Sequence, residues 1–319
     1  MKLHYTTSPH LRGKDTTARL MRDVILALLP ALIVGVALQG VRALVVTLIS
    51  VVAAVSAEGL YRSVTRQYFT LSDGSAALTG LLLAMTLPAT VPLWIPVVGA
   101  TFAVVVVKGL CGGLGHNIFN PALAARAFLM LFWPVHLVRF APAGQVSGVD
   151  MVASATPLHH MQIPALPEES LLDLFLGRMG GTIGEVCTLA LLLGGIYLLA
   201  RKVITVRIPA AYLGAVAVLT LVFHKTDNAL LWMVSQLCTG GVMLGAIFMA
   251  TDYVTSPTTK AGQLIYGAGC GALTVLFRYT GLYPEGVTYA ILIMNAAVWI
   301  LERSTAPRIF GNKKGGPVR

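Results

Sequence analysis

The sequence has few charged side chains. Asp, Glu, Lys and Arg make up 11% of its 319 residues, whereas a soluble domain carries about 25%. This shortage excludes an ordinary soluble globular domain. Hydrophobic residues account for 56% of the chain, and apolar runs long enough to cross a hydrocarbon core of roughly 30 Å recur along it. The composition predicts an all-α integral membrane protein that lies in a lipid bilayer.

Cysteine is scarce too, and its spacing excludes several kinds of cofactor site. None of the cysteines forms a CxxC pair or a ligand cluster, so no iron–sulfur or other metal site is predicted. The four are Cys111, Cys187, Cys238 and Cys270. The first apolar run has no small-residue cleavage site after it, so we do not expect a cleaved signal peptide. The net charge of +10 is interpreted as marking the cytoplasmic side of a membrane protein, with no nucleic-acid partner.

Hydropathy predicts about ten transmembrane helices. The segments lie near residues 22–39, 42–60, 74–88, 93–111, 120–137, 181–200, 208–224, 230–250, 262–280 and 285–302. The third, fifth and eighth are short or interrupted by Gly and Pro. An interrupted span exposes N–H and C=O groups that lipid cannot satisfy, so each break must face protein, water or a ligand. We expect breaks at Pro88, at 112–117 and at 251–258.

Two stretches of the sequence resemble each other. Gly80 and Gly245 are each followed six residues later by a threonine, then by a break that contains proline and a Gly-rich segment. The similarity favours two repeats of five segments, although coincidence is the alternative. An odd number of segments would invert the second repeat, and inverted repeats with broken helices place ligands or ions near the midplane.

The distribution of Lys and Arg predicts the orientation. Seventeen of the 23 fall on the sides that are cytoplasmic if the N-terminus lies inside, as the positive-inside rule requires. Both termini are therefore predicted to be cytoplasmic. The predicted regions are a cytoplasmic N-terminal segment (1–21), a first five-helix repeat (22–137), an external loop (138–180), a second five-helix repeat (181–302) and a cytoplasmic tail (303–319).

Several motifs resemble a known family. They are SPHLRGKDTTARLMRDV from Ser8, SDGSAALTGLLLAMTLP from Ser72, GGLGHNIFNPALAARAF from Gly112, TDYVTSPTT from Thr251 and YPEGVTYAILIMNA from Tyr283. Together they are similar to the D-type subunit of the Rnf electron-transport complex, and several recur in the related B-type subunit of the sodium-pumping NADH:quinone reductase. The resemblance covers nearly the whole chain and implies a bacterial inner-membrane protein.

The resemblance implies a covalent flavin on the external loop. In this family FMN is attached through its phosphate to a threonine in a motif that begins with Asp. Here Asp150 stands six residues before Thr156, and the sequence Ala-Thr-Pro-Leu matches. Ala153 and Ser154 depart from the motif but remain small, which leaves room for a flavin transferase to bring the phosphate to the hydroxyl. An ordinary loop threonine before a turn-setting proline is the alternative.

A second flavin, riboflavin held without a covalent bond, is also implied near the cytoplasmic face. Its candidate ligands lie at the predicted helix breaks: Asn117, Asn120, Thr251 and Asp252. The alternative is that these side chains cap half-helices and satisfy freed backbone groups. Arg126 lies well inside the fifth segment, where charge is costly. It is a candidate to neutralise a flavin, or alternatively to pair with an acid.

The predicted function is that of a flavin-carrying subunit in a redox-driven ion pump. It would relay electrons across the membrane between the ferredoxin or NAD side and other subunits, coupled to movement of Na⁺ or H⁺. The resemblance implies iron–sulfur, flavin and ion-translocating membrane subunits as partners, with no complete active site on this chain. A secondary transporter or channel without a redox cofactor, or a membrane scaffold for redox partners, are the alternatives.

Overall fold

The regular structure is entirely helical. A computed structural model describes residues 16–66, 71–140, 170–177, 179–185, 187–281 and 286–306, and the elements within these ranges are helices of the α, 3₁₀ and π types. The predicted all-α class is confirmed.

The described part of the first half of the chain forms six α-helices. They are α1 (Thr17–Gln39), α2 (Val41–Thr65), α3 (Ser75–Met85), α4 (Trp94–Thr101), α5 (Pro121–Phe132) and the single turn α6 (Pro134–Leu137). A π-helix, Phe102–Gly109, continues α4 without interruption. Gly40 links α1 to α2 with a φ of 81°, a conformation that glycine adopts without steric cost.

The second half contributes seven α-helices from its described residues. They are α7 (Leu171–Leu176), α8 (Thr188–Ala200), α9 (Arg207–Val222), α10 (Ala229–Cys238), α11 (Val242–Leu244), α12 (Lys260–Thr280) and α13 (Val287–Thr305). A second π-helix, Gly245–Met249, continues α11. The short helix α7 lies inside the region that was predicted as an external loop.

Among the helices in the described ranges, three are long and apolar enough to cross a membrane by themselves: α1, α2 and α13. A fourth span results if α10 and the α11–π segment, which are bent by 64° at their break, are counted together. The protein is therefore a membrane protein. Each of the ten predicted segments contains at least one helix, but several of these helices are shorter than a full span, and ten crossings remain a prediction.

Two predicted segments differ from the helices observed. The sixth becomes helical only at Thr188. Before that helix, Ile183 donates to the Leu87 carbonyl at 3.0 Å and Gly184 to the Met85 carbonyl at 2.8 Å. The fifth is divided at Pro134, which begins the separate turn α6, as expected for a residue without an N–H.

Small residues bring the helices into close contact. A Cβ atom on Gly267 would lie 2.7 Å from the Ile208 carbonyl oxygen, and one on Gly271 would lie 2.6 Å from that of Tyr212. Helix α12 thus packs directly against the backbone of α9, as small residues allow in membrane proteins. Large apolar side chains such as Ile33 and Leu131 point outwards, where lipid is the expected neighbour.

Candidate functional site

A cavity lies where helix ends from both halves of the chain meet. Its space amounts to about 790 Å³ when the open solvent at its mouth is included. We call it the inner cavity, because its walls are on the side predicted to be cytoplasmic. They include the start of α3, the end of the first π-helix, the start of α5 and the break that follows the second π-helix. Asn117, Asn120, Thr251 and Asp252, which are far apart in sequence, all line it.

Two of these four side chains satisfy backbone groups at helix ends, which was the alternative to riboflavin binding. The side-chain oxygen of Asn120, Oδ1, accepts from the N–H of Ala122 at 3.1 Å, and its side-chain nitrogen, Nδ2, donates to the Met249 carbonyl at 3.3 Å. The Thr251 hydroxyl donates to the Ile247 carbonyl at 2.6 Å. Both residues therefore stabilise the ends of helices that border the cavity.

The other two polar residues, Asn117 and Asp252, have acceptor oxygens that are available to a ligand in the cavity. Asn117 donates to the Phe119 carbonyl at 3.1 Å, but its side-chain oxygen is buried and has no partner within the described ranges. An unsatisfied buried acceptor costs roughly 1–3 kcal/mol, so this oxygen suits a ligand N–H. The Asp252 carboxylate accepts from the Thr255 hydroxyl at 3.1 Å and adds an acid to the residues that line the cavity.

A cluster of charged and polar side chains reaches the cavity surface through Lys108 and Ser75. Lys108 lines the cavity and is only 3% exposed. Its ammonium donates to both carboxylate oxygens of Glu58, at 2.9 and 3.0 Å, and to the Ser75 hydroxyl at 2.6 Å. Arg62 binds the same carboxylate at 2.8 Å, and the Ser75 hydroxyl donates to Asp73 at 2.6 Å. We call these five residues the charged wall.

The freed carbonyl groups at the end of α3 are satisfied by other parts of the chain. The N–H groups of residues 183 and 184 bind two of them, and the Arg126 guanidinium donates to a third, that of Thr86, at 2.5 Å. Arg42 donates to the next carbonyls, including that of Ala89 at 2.9 Å. The break at Pro88 therefore faces protein, as its position in a membrane segment requires.

Arg126 does not belong to the inner cavity. It lines a smaller cavity of about 250 Å³, together with Thr86, Glu185, Gly241 and Thr288. Glu185 is buried and acts electrostatically on Arg126. The observed position thus combines a carbonyl-binding role with a nearby acid, and it separates Arg126 from the other candidate residues.

Arg278 stabilises the break between α10 and α11. Its Nη1 donates to the backbone and side-chain oxygens of Gln236, at 2.6 and 2.7 Å. Its Nη2 donates to the carbonyls of Thr239 and Gly240, at 2.7 and 3.2 Å. A guanidinium carries five donors in a rigid fork, so one side chain serves several carbonyls that the 64° bend removes from the helical pattern.

Comparison with known proteins identifies the family. A family model described as "NQR2, RnfD, RnfE family" matches residues 4–311. The chain belongs to this family. It is 46% identical to the D-type subunit of the Na(+)-translocating ferredoxin:NAD(+) oxidoreductase complex of Acetobacterium woodii, over 98% of this chain and 97% of that protein. It is 41% identical to the corresponding subunit of the proton-translocating ferredoxin:NAD(+) oxidoreductase complex of Clostridium ljungdahlii, over 97% and 96% respectively.

The motifs that suggested this family lie in different parts of the structure. The segments around Ser75, Asn117 and Asp252 meet at the inner cavity. Thr156, Asp150 and Ser154, which the resemblance assigns to the covalent flavin, lie outside the described residues. Their role therefore stays a prediction.

Sequence reasoning missed the charged wall. Glu58 and Lys108 both lie near the ends of predicted spans, and the predicted topology places both at the cytoplasmic rim. Their similar depth in the membrane and their opposite charges could have predicted that the two residues form an ion pair. The contribution of Ser75 had no such signal, because a serine at a helix start is ordinarily a cap.

Proposed function

We propose that this chain is the D-type subunit of an ion-translocating ferredoxin:NAD⁺ oxidoreductase and that it carries electrons across the membrane on bound flavins. Family membership and the functions for which its relatives are named support the pump assignment. The chain contributes to a multi-subunit oxidoreductase and lacks a CxxC or similar cysteine cluster in its sequence. Iron–sulfur chemistry and the reactions of ferredoxin and NAD⁺ therefore belong to partner subunits.

The inner cavity is the proposed site of the non-covalent flavin, riboflavin. The observation that carries this assignment is the meeting of Asn117, Asn120, Thr251 and Asp252 in one cavity, with the buried oxygen of Asn117 unpartnered among the described residues. A flavin ring presents an N–H that matches this acceptor, and the wall around it is largely apolar, with Leu78, Leu82 and Phe248. When bound, a flavin accepts and releases electrons one at a time, which suits a relay.

In this arrangement the protein supplies binding, orientation and electrostatics. Asn117 would accept from the ring, and Asn120 fixes the start of α5 against Met249 and so holds the cavity wall in place. Leu78 and Leu82 would exclude water from the faces of the ring. Thr251 and Asp252 lie at the helix break that borders the cavity.

Thr156 is the proposed attachment site of FMN, in the external loop 138–180. Its hydroxyl would accept the phosphate from a flavin transferase, with Asp150 and Ser154 as neighbouring candidates in the motif. Flavins on opposite sides would let electrons cross the bilayer. We infer a bacterial inner-membrane location with both termini in the cytoplasm.

The packing of the helices supports two inverted five-helix repeats. In the first half α2 packs on α3 and α4, and α4 packs on α5. In the second half α9 packs on α10 and α12, and α12 packs on α13. Between the halves α1 contacts α8 and α5 contacts α13, so the first and last segments of each half pair with their counterparts. A two-fold relation between the halves would produce this pattern.

The first experiment is in-gel flavin fluorescence of this subunit, expressed with the host's flavin transferase. We expect a fluorescent band for the wild type and for Ser147→Ala, a control in the same loop, but none for Thr156→Ala. A dark wild-type band would overturn the covalent assignment and favour the transporter alternative. For the inner cavity, acid extraction of the purified complex should release riboflavin from the wild type and little from Asn117→Phe, which removes the acceptor oxygen and places a bulky ring at the cavity surface.

A further inference from the structure

Helix packing alone does not account for the buried charges of the charged wall. Lys108 and Glu58 are each no more than 3% exposed, and burying two charges is expensive even when they pair. Within the described ranges the Lys108 ammonium binds side chains rather than a freed backbone carbonyl. It is also part of the surface of the inner cavity.

The position of Lys108 is fixed from several directions. All three ammonium protons have acceptors: the two oxygens of Glu58 and the Ser75 hydroxyl. Arg62 holds Glu58 from the other side, while Asp73 holds Ser75 through both its hydroxyl and its N–H. Such a lysine cannot swing out to solvent as an exposed one would.

The backbone that carries Lys108 is also unusual. It lies in the π-helix Phe102–Gly109, and a π-helical turn is a rare conformation found frequently at functional sites. The second π-helix, Gly245–Met249, ends at the same cavity. The cation is thus set into the cavity by a local departure from α-helical geometry.

We propose that Lys108, positioned by Glu58 and Ser75, sets the redox potential of the flavin in the inner cavity. The inference rests on the proposed function. Reduction adds negative charge to the flavin ring, and a fixed cation nearby stabilises the reduced ring over the oxidised one, since charge near the ring tunes its electronics. Glu58, Asp73 and Asp252 are acids that oppose this effect, whereas Arg62 reinforces it.

The proposal predicts shifts of opposite sign for the two partners of one ion pair. Replacing Lys108 by Gln removes the cation, so the midpoint potential should fall. Replacing Glu58 by Gln removes the negative charge that offsets the positive charges of Lys108 and Arg62, so the midpoint potential of the flavin should rise. A purely structural ion pair would instead give two variants with the same defect, because either change breaks the same contact.

The test is a spectroelectrochemical titration of the purified whole complex. The component that belongs to the inner cavity is the one missing from an Asn117→Phe complex. We expect K108Q to lower its midpoint by at least about 59 mV, a tenfold change in a one-electron equilibrium, and E58Q to raise it. K108R keeps the charge and should stay near the wild type, as should Lys260→Gln, which removes an exposed cation outside the cavity.

The outcomes separate this inference from the function on which it rests. If riboflavin is present and the potentials of K108Q and K108R agree within error, Lys108 does not tune the flavin and the inference is wrong, while the proposed function stands. If Asn117→Phe removes no flavin component, the riboflavin site in the inner cavity and the inference that rests on it both fail, whereas FMN at Thr156 is tested separately by the gel experiment. If E58Q does not assemble, the K108Q and K108R pair decides the question alone.

Discussion

Replacing Arg278 by Leu should destabilise the protein strongly, because this side chain supports the break between α10 and α11. The guanidinium makes four hydrogen bonds, at 2.6, 2.7, 2.7 and 3.2 Å, and it is only 4% exposed. At the roughly 0.6 kcal/mol average measured for a hydrogen bond between membrane helices, their loss costs about 2.4 kcal/mol. At about 1.5–3 kcal/mol for bonds to a charged group, the cost is several times larger.

We base the expectation on the smaller of these two costs, because the carbonyls that lose Arg278 can find other donors in the state unfolded within the membrane. We therefore expect R278L to lower the free energy of unfolding by at least about 2 kcal/mol, roughly a thirtyfold change in the unfolding equilibrium. Arg278→Lys keeps the charge but loses the fork, so it should lie between R278L and the wild type.

The assay is unfolding in mixed detergent micelles at increasing denaturing-detergent fraction, followed by circular dichroism. Arg303→Leu is the matched control, because Arg303 is exposed and stacks over the ring of Trp299. It should change the stability by less than about 0.5 kcal/mol. Equal effects of the two substitutions would refute the argument that freed carbonyls at the break depend on Arg278.

Three further predictions test the packing. Gly194→Ala should lower the free energy of unfolding by about 1–3 kcal/mol, because the added Cβ would collide with a carbonyl of α1. Gly214→Ala, with open space around it, should be neutral or slightly stabilising in the same unfolding assay, and equal effects of the two substitutions would contradict the α1–α8 contact. Asn120→Ala should cost about 0.5–2 kcal/mol through its lost helix cap, measured likewise, while a cost near zero would mean that the cap is dispensable. A membrane-permeant maleimide should label exposed Cys111 quickly and buried Cys270 only after denaturation; rapid labelling of Cys270 by mass spectrometry in the folded protein would show that α12 is packed differently.

The sequence predicted the helical class and the positions of the helices well, because apolar runs and Gly/Pro interruptions are local signals. The breaks expected at Pro88 and at 251–258 are confirmed: α3 ends at Met85, and the second π-helix ends at Met249. Sequence also identified the polar residues at those breaks. It did so because an amide or hydroxyl inside an apolar run is conspicuous without any knowledge of its neighbours.

What sequence could not supply was which residues meet. Arg126 and Asn120 lie six residues apart on α5 and its cap, yet they line different cavities, because a helix presents its faces to different neighbours. Nothing in the pattern distinguishes a carbonyl-binding arginine from a ligand-binding one. The π-helices were also unpredicted, since their apolar sequences fit an α-helix equally well.

The π-helix before the inner cavity fixes how many residues this part of the chain must contain. It bonds with a spacing of five, as in the contact from Leu110 N–H to the Val105 carbonyl, and so accommodates more residues per turn than an α-helix. If these same residues were wound as an α-helix instead, each extra residue that the wider π turn takes up would turn everything after it by about 100°. Lys108 would then face away from Glu58, although no charged residue had been altered. The length of this helix is thus as much a part of the site as the side chains it carries.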